Sequence, residues 1–278
     1  MKVVHYDSPH AARDNTREYL SRDPLRNTII LTLMESRIAD SLPGRYWAAF
    51  DHGSVVGIGV QTPLDRPIVL SVMSPDVAAM LAQAIGSGGE EVPGVTGEAH
   101  VASRFAGEWA ACRKVGARPT AGRRLYEARA VREGAVAHGV LERATLMQEA
   151  LAHEWFTAFL KEVGESPQIP EFIRRRVGAG LAWFWKDGDF KSVALISAPV
   201  SGGSRFQCVF TPPVHRRKGY AESLVRSVTD RLICEGVRPM LITDLADPGA
   251  NGIYQRIGYE AAAEIILYRF DPSTARPE

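Results

Sequence analysis

The stretch Cys208–Ala221, CVFTPPVHRRKGYA, joins an apolar run to a glycine turn and then to an amphipathic helix. Thr211, Pro212 and Pro213 end the run Cys208-Val209-Phe210, because proline supplies no ladder donor and is confined to strand ends and edges. From Tyr220 the period changes. Ala221, Leu224, Val225, Val228 and Leu232 recur at three and four residues, with Glu222, Arg226, Thr229, Asp230 and Arg231 largely opposite, and Gly236 stops the helix. Between the two elements lie Arg216, Arg217, Lys218 and Gly219. A residue without a side chain lets backbone N–H groups at the positive end of a helix approach a phosphate, and the cations neutralise it. There is no second glycine at the offset of a dinucleotide fingerprint and no Gly-Lys-Ser/Thr of a P-loop. The stretch predicts a pyrophosphate cradle of another kind.

Downstream, Pro239–Thr243 is a short apolar run that reads as a buried strand ending at Asp244. The segment DLADPGANGIYQRIGY follows. Asp247, Pro248 and Gly249 turn into a helix carrying Ile253, Tyr254 and Ile257, and Gly258 terminates it. With these residues in view, the spacing Arg216, Gly219, Ala221 after a strand-ending proline resembles the acyl-CoA signature of the GNAT N-acetyltransferases. Ala221 stands where that family often has a second glycine. Asn251, Tyr254, Gly258 and Tyr259 resemble the family's asparagine-tyrosine-glycine-aromatic element.

The resemblance implies acetyl-CoA as cosubstrate, contacted from Val209, Phe210 and Thr211, from Arg216, Arg217, Lys218, Gly219, Tyr220 and Ala221, and from Asn251. It also implies that Tyr254 protonates the departing thiolate and that Gly258-Tyr259 turns the chain into a final strand. Direct transfer of an acyl group to an amine needs four provisions. The cofactor is held by its phosphates, for which the N–H groups of Arg217 to Ala221 suffice. The thioester carbonyl meets a donor, which a free amide at the end of the Cys208–Phe210 strand supplies. The thiolate leaves with a proton, and a tyrosine hydroxyl titrating near 10 stays protonated at neutral pH to give it. The amine must arrive neutral, and for that base Asp244, Glu222, His215 and a held water stay open. Cys208 as a nucleophile is the weaker reading beside a buried small hydrophobe, because no histidine with an orienting acid stands recognisably near it.

The chain has 278 residues, 45% hydrophobic, with a net charge of +1, which is enough for two modest cores and gives no bulk attraction to nucleic acid or anionic membrane. Its Arg-rich patches, 174–176 and 215–218, are short and local. Cys112, Cys208 and Cys234 are widely spaced and lack a CxxC or His/Cys cluster, so no zinc site and no disulfide framework is expected, and a reducing cytoplasm fits. No apolar run approaches a membrane span.

Two halves with the same element order are expected. In the first, residues 11–40 read as helical with a break at Asp23-Pro24. Tyr46–Phe50 and Val55–Gln61 form a hairpin about Asp51-His52-Gly53, and Ile68–Val72 is a strand. Pro75 to Ile85 is a helix, GSGGEEVPGVTG a loop, Val101 to Val115 a helix, and Leu125 to Val131 a strand. In the second, Leu141 to Glu162 reads as helix, Leu181 to Ser197 as a hairpin about Lys186–Asp189, and the cradle follows.

The first half has no Arg/Lys-rich glycine turn and resembles the degenerate half of tandem GNAT proteins. The expected fold is α/β (α+β layered). It comprises two GNAT-like domains, 1–134 and 135–278, each a mixed, mostly antiparallel twisted sheet flanked by helices. The expected function is an acetyl-CoA-dependent N-acetyltransferase acting on a small-molecule or protein amine, the alternative being a non-catalytic acyl-CoA-binding regulatory module. Trp183, Phe184 and Trp185 read equally as an aromatic wall for the acceptor or as core. An open sheet edge in each half is compatible with a homodimer.

Overall fold

Ser8 ends the first extended run and caps a helix: its side chain accepts from the Ala11 N–H at 3.4 Å, and Pro9 takes the first helical position. The computed structural model describes residues 1–40, 43–120, 122–165 and 170–271. Packing divides the chain into two units, Met1–Leu125 with Asp244–Ala246 and Ala262 onward, and Tyr126–Thr243 with Asp247–Ala261. The division thus falls before the 134/135 boundary read from the sequence, and the end of the last strand packs with the first unit instead of the second.

The first unit runs β1 (Lys2–Tyr6), α1 (Pro9–Ser21), α2 (Thr28–Asp40), β2 (Arg45–Asp51), β3 (Ser54–Gln61), β4 (Ile68–Leu70), α3 (Pro75–Ser87), β5 (Gly94–Glu98), α4 (Ala99–Arg113), β6 (Ala117–Pro119) and the start of β7 (Arg123–Ala128). Its sheet follows the order β1-β2-β3-β4-β5 and then the last strand of the chain. All described pairings are antiparallel except β4 with β5. The β2–β3 turn needs left-handed backbone at two successive positions, and His52 (φ 45°) and Gly53 (φ 82°) supply it. Trp47, Ile68, Leu81, Phe105 and Trp109 form the core under α3 and α4.

Strand β5 lies inside the stretch expected to be a loop. Its glycines mark crowding, not mobility. A Cβ on Gly94 would overlap the Tyr268 carbonyl oxygen, and one on Gly97 would come 3.1 Å from the Cβ of Leu70.

The second unit adds β8 (Val140–Arg143), a 3-10 turn (Leu146–Gln148), α5 (Glu149–Glu162), α6 (Pro170–Gly178), β9 (Ala182–Asp187), β10 (Asp189–Ile196), β11 (Gly203–Phe210), a second 3-10 turn (Pro213–His215), α7 (Tyr220–Cys234), β12 (Arg238–Asp244), α8 (Pro248–Ile257) and the start of β13 (Tyr259–Phe270). Its strands lie in the order β7-β12-β11-β10-β9-β8. The expected helix over 141–162 begins as a strand. Val140–Arg143 pairs with Trp183–Lys186 along β9, and Thr145 then caps the turn that leads into α5.

One face of this sheet packs Trp183, Trp185, Phe206, Leu224, Val225 and Leu241 with α7. The other packs Phe184, Val193, Cys208 and Phe210 with Trp155 and Phe156 of α5. All three aromatics at 183–185 are buried core, so they provide no wall for an acceptor. The α/β expectation, a mixed and mostly antiparallel sheet flanked by helices, describes each unit. No described helix is long and apolar enough to cross a membrane, and no cluster of metal-ligating side chains occurs among the described residues.

Candidate functional site

Strands β11 and β12 run parallel and pair only at Gly203, Ser204 and Arg205 against Arg238, Pro239 and Met240. Beyond Arg205 the two strands no longer pair, so the β12-facing backbone groups of the remainder of β11 are released from the ladder. On its other side β11 stays paired to β10, with one irregularity. Ile196 faces Phe206 and Leu195 faces Cys208, leaving Gln207 as the extra residue of a bulge. A bulge kinks its strand and re-aims the residues that follow. Val209 and Phe210, two of the expected contacts, therefore line the open end of a gap between strands.

Phe210 is the last residue of β11. The Ser192 hydroxyl donates to its carbonyl at 2.9 Å, and the Thr211 hydroxyl bonds the same Ser192 oxygen at 2.9 Å. The chain then turns through Pro213–His215 and reaches α7 by two left-handed residues, Arg217 (φ 60°) and Gly219 (φ 79°). Gly219 stands at the N-cap and no side chain caps the helix. The first N–H groups of a helix have no intrahelical acceptor, and with no side-chain cap those of Tyr220 and Ala221, next to Gly219, are open to an anion. Arg217, Lys218 and Gly219 are exposed.

Arg216, one of the expected contacts, is also engaged within the chain. Its Nε donates to the Thr211 carbonyl at 2.8 Å and its outer nitrogen to Glu162 at 2.6 Å, with the guanidinium 5.7 Å over the Phe210 ring. It shapes the loop. The Tyr220 hydroxyl is also committed, donating to Asp187 Oδ2 at 2.7 Å, while Asp187 Oδ1 meets His138 Nδ1 at 2.7 Å. These two bonds hold the Asp187 carboxyl below the usual carboxylate range and push the Tyr220 hydroxyl up. An Asp187 carboxyl-carbon NMR titration is accordingly expected to have its midpoint below the reference of about 3.9. The bond network is complete above that reference and weakens as pH falls through the lowered value. A midpoint at or above the reference would mean the bonds do not form in solution.

Helix α8 brings the second expected set together. Asp247 caps it, accepting from the Ala250 N–H at 2.9 Å, and Gly258 (φ 122°) ends it. Asn251 is held in place: its amide donates to the Asp247 carbonyl at 2.6 Å and its oxygen accepts from the Tyr126 hydroxyl at 2.9 Å. Tyr254 packs edge-on to Tyr259, ring centroids 6.0 Å apart. Its hydroxyl makes no hydrogen bond among the described residues. Burial, then the neighbouring Cys208 thiol and Asp247, push its pKa well above the ordinary tyrosine value.

Cys208 itself is 2% exposed and burial pushes its thiol up, so it is an inert core residue. Of the side chains considered as base, Glu222 is paired with Arg226 and Arg256, and Asp244 accepts from the Ala246 N–H. The pKa of His215 is lowered by partial burial and by Lys191 and Lys218, which favours its neutral, proton-accepting form. Asp187, Glu162 and Tyr126 were missed by sequence reasoning, because each acts through a partner far away in the chain.

Residues 196–267, from the end of β10 through most of β13, match the family model of the FR47-like proteins. The whole chain superposes on an acetyltransferase of the GNAT family from Colwellia psychrerythraea with a TM-score of 0.63 at 12% identity, over 98% of this chain and 100% of that one. The chain is a GNAT-fold protein. A GCN5-related N-acetyltransferase from Sphaerobacter thermophilus gives a TM-score of 0.66 at 15% identity over 96% of this GNAT-fold chain and 95% of its own. A tandem GNAT protein from the clavulanic acid biosynthesis pathway gives 0.58 at 9% over 99% and 100%. No curated protein matches the sequence.

Proposed function

We propose that the second unit transfers an acyl group, in the first instance acetyl, from a CoA thioester to an amine. The observation that carries this is the coincidence of three features in one unit. Strands β11 and β12 part after three paired residues, an uncapped helix N-terminus follows β11 through Gly219, and half-buried Tyr254 keeps a protonated hydroxyl with no hydrogen-bond partner among the described residues. The fit to the cosubstrate is chemical. A diphosphate suits the N–H groups of Tyr220 and Ala221, and an amide chain suits the ladder groups that β11 leaves unpaired beyond Arg205.

Acetyl-CoA supplies the thioester, whose carbonyl carbon bonds to the amine nitrogen as the carbon–sulfur bond breaks. An amide N–H at the end of β11 steadies the oxygen that gains charge. Tyr254 gives its proton to the departing sulfur. The amine's proton goes to a base, for which neutral His215 and water are the candidates.

The test is thiol release from acetyl-CoA across a panel of primary amines, with calorimetric binding of acetyl-CoA to the same protein. Amine-dependent release is expected. Binding without release over a broad panel would favour a sensor of acyl-CoA, and no binding would remove the cradle.

A further inference from the structure

Arg217 (φ 60°) holds a left-handed backbone that a residue with a side chain would leave in a free chain, two positions before the left-handed Gly219. Such backbone persists only where its surroundings over-determine it. Residues 216 to 219 are exposed, so the restraint comes from the loop's ends. At one end Arg216 is tied to Thr211 and Glu162. At the other, the Tyr220 hydroxyl is tied to Asp187.

We propose that Asp187 is a positioning residue for acyl-CoA binding, fixing the first residue of α7 through Tyr220 so that the N–H groups of Tyr220 and Ala221 stay open to an anion. This rests on the acyl-CoA reading above. Asp187 is well placed for the task. It closes β9 beside the tight turn at Gly188 (φ 69°), and its register partner is Asp189 of β10. Its second oxygen holds His138, and the chain around His138 is pinned in turn. The Trp185 indole donates to the His138 carbonyl at 3.0 Å, and the Ala137 N–H donates to Ser223 Oγ, in the first turn of α7, at 2.8 Å. A Cβ at Gly219 would sit 3.6 Å from the Cβ of Ala137. The strap 137–138 therefore touches the same helix start that Asp187 tethers.

The charge of Asp187 makes the proposal sharp. A carboxylate one tyrosine ring away from a phosphate site repels the phosphate. On electrostatics alone its removal tightens anion binding. A positioning role requires the opposite sign.

The experiment measures acetyl-CoA affinity by calorimetry, together with kcat and the KM for acetyl-CoA, in Tyr220→Phe, Asp187→Ala, Asp187→Asn and the Tyr220→Phe/Asp187→Ala double variant. Tyr220→Phe and Asp187→Ala are each expected to weaken binding and raise KM about tenfold, with kcat in Asp187→Ala within twofold of the parent. The double variant should be no worse than either single, and Asp187→Asn, which keeps an acceptor for the tyrosine hydroxyl, should return towards the parent. Unchanged or tighter binding in Asp187→Ala, or a double variant that loses the sum of the two singles, would overturn the proposal. A parent protein that binds no acetyl-CoA overturns the acyl-CoA reading and this proposal with it, and that result is seen before any substitution is made.

Discussion

Tyr254→Phe is expected to lower turnover about a hundredfold or more, the usual loss when a positioned acid is removed, while leaving acetyl-CoA affinity within twofold. The substitution is clean. The phenyl ring keeps the edge-on contact with Tyr259, and the hydroxyl has no hydrogen-bonded partner among the described residues to be orphaned, so stability should change by less than about 0.5 kcal/mol. The pH dependence carries a second expectation. Burial disfavours the phenolate and raises the pKa of Tyr254 above its ordinary value near 10. The proton is therefore in place throughout the alkaline range in which the amine becomes neutral, and turnover should not fall near pH 10 through ionisation of this residue. Equal kcat in the Phe variant, measured at saturating amine from pH 6 to 10, would remove Tyr254 from the chemistry.

Gly258→Ala is expected to have the largest effect on stability, about 3 kcal/mol, which for a chain of this size lowers the melting temperature by roughly 10 °C. Two causes add. The backbone at φ 122° is one that only glycine adopts readily, and an added Cβ would lie 2.6 Å from the Ala130 carbonyl oxygen and 3.3 Å from the Arg132 nitrogen. Relief by moving the chain would break the Arg132 N–H to Ile257 carbonyl bond of 2.8 Å and carry Tyr254 away from Tyr259. Gly53 is the natural control. It also has a positive φ, 82°, yet nothing lies within 4 Å of its Cβ direction, so Gly53→Ala should cost only the backbone part, about 1 kcal/mol. Equal shifts for the two variants in thermal unfolding followed by circular dichroism would show that the close backbone contact adds nothing.

The parts of the site that could be read from the sequence are those written in local grammar. Pro212-Pro213, Gly219 and Gly236 bracket α7, and the buried Leu224, Val225, Val228 and Leu232 are the face its period predicts. Asp247-Pro248 and Gly258 bracket α8 in the same way. The failures have physical causes. Gly94 and Gly97 look like loop residues because close neighbours exclude side chains there. The four residues of β8 carry too little alternation to compete with the helical period that begins at α5. The intrachain partners of Arg216 are not legible either, because sequence shows neither Thr211 folding back nor Glu162 arriving from α5. Asp187 looked like one residue of a turn. Its meaning lies in Tyr220 and His138, both distant in the chain.

The first unit takes its last strand from the far end of the polypeptide: Ile265 to Arg269 pair with Glu98 to Gly94. On a ribosome adding about 5–20 residues per second, Ile265 is joined roughly 10–30 s after Glu98. Hairpins close in about 1–10 μs. The nascent first unit thus waits, with β5 lacking its outer neighbour, for at least a million times the duration of an ordinary pairing step. During synthesis it is the second unit, made later, whose last segment, Asp247–Ala261, is joined before the Ile265–Arg269 stretch that the first unit awaits.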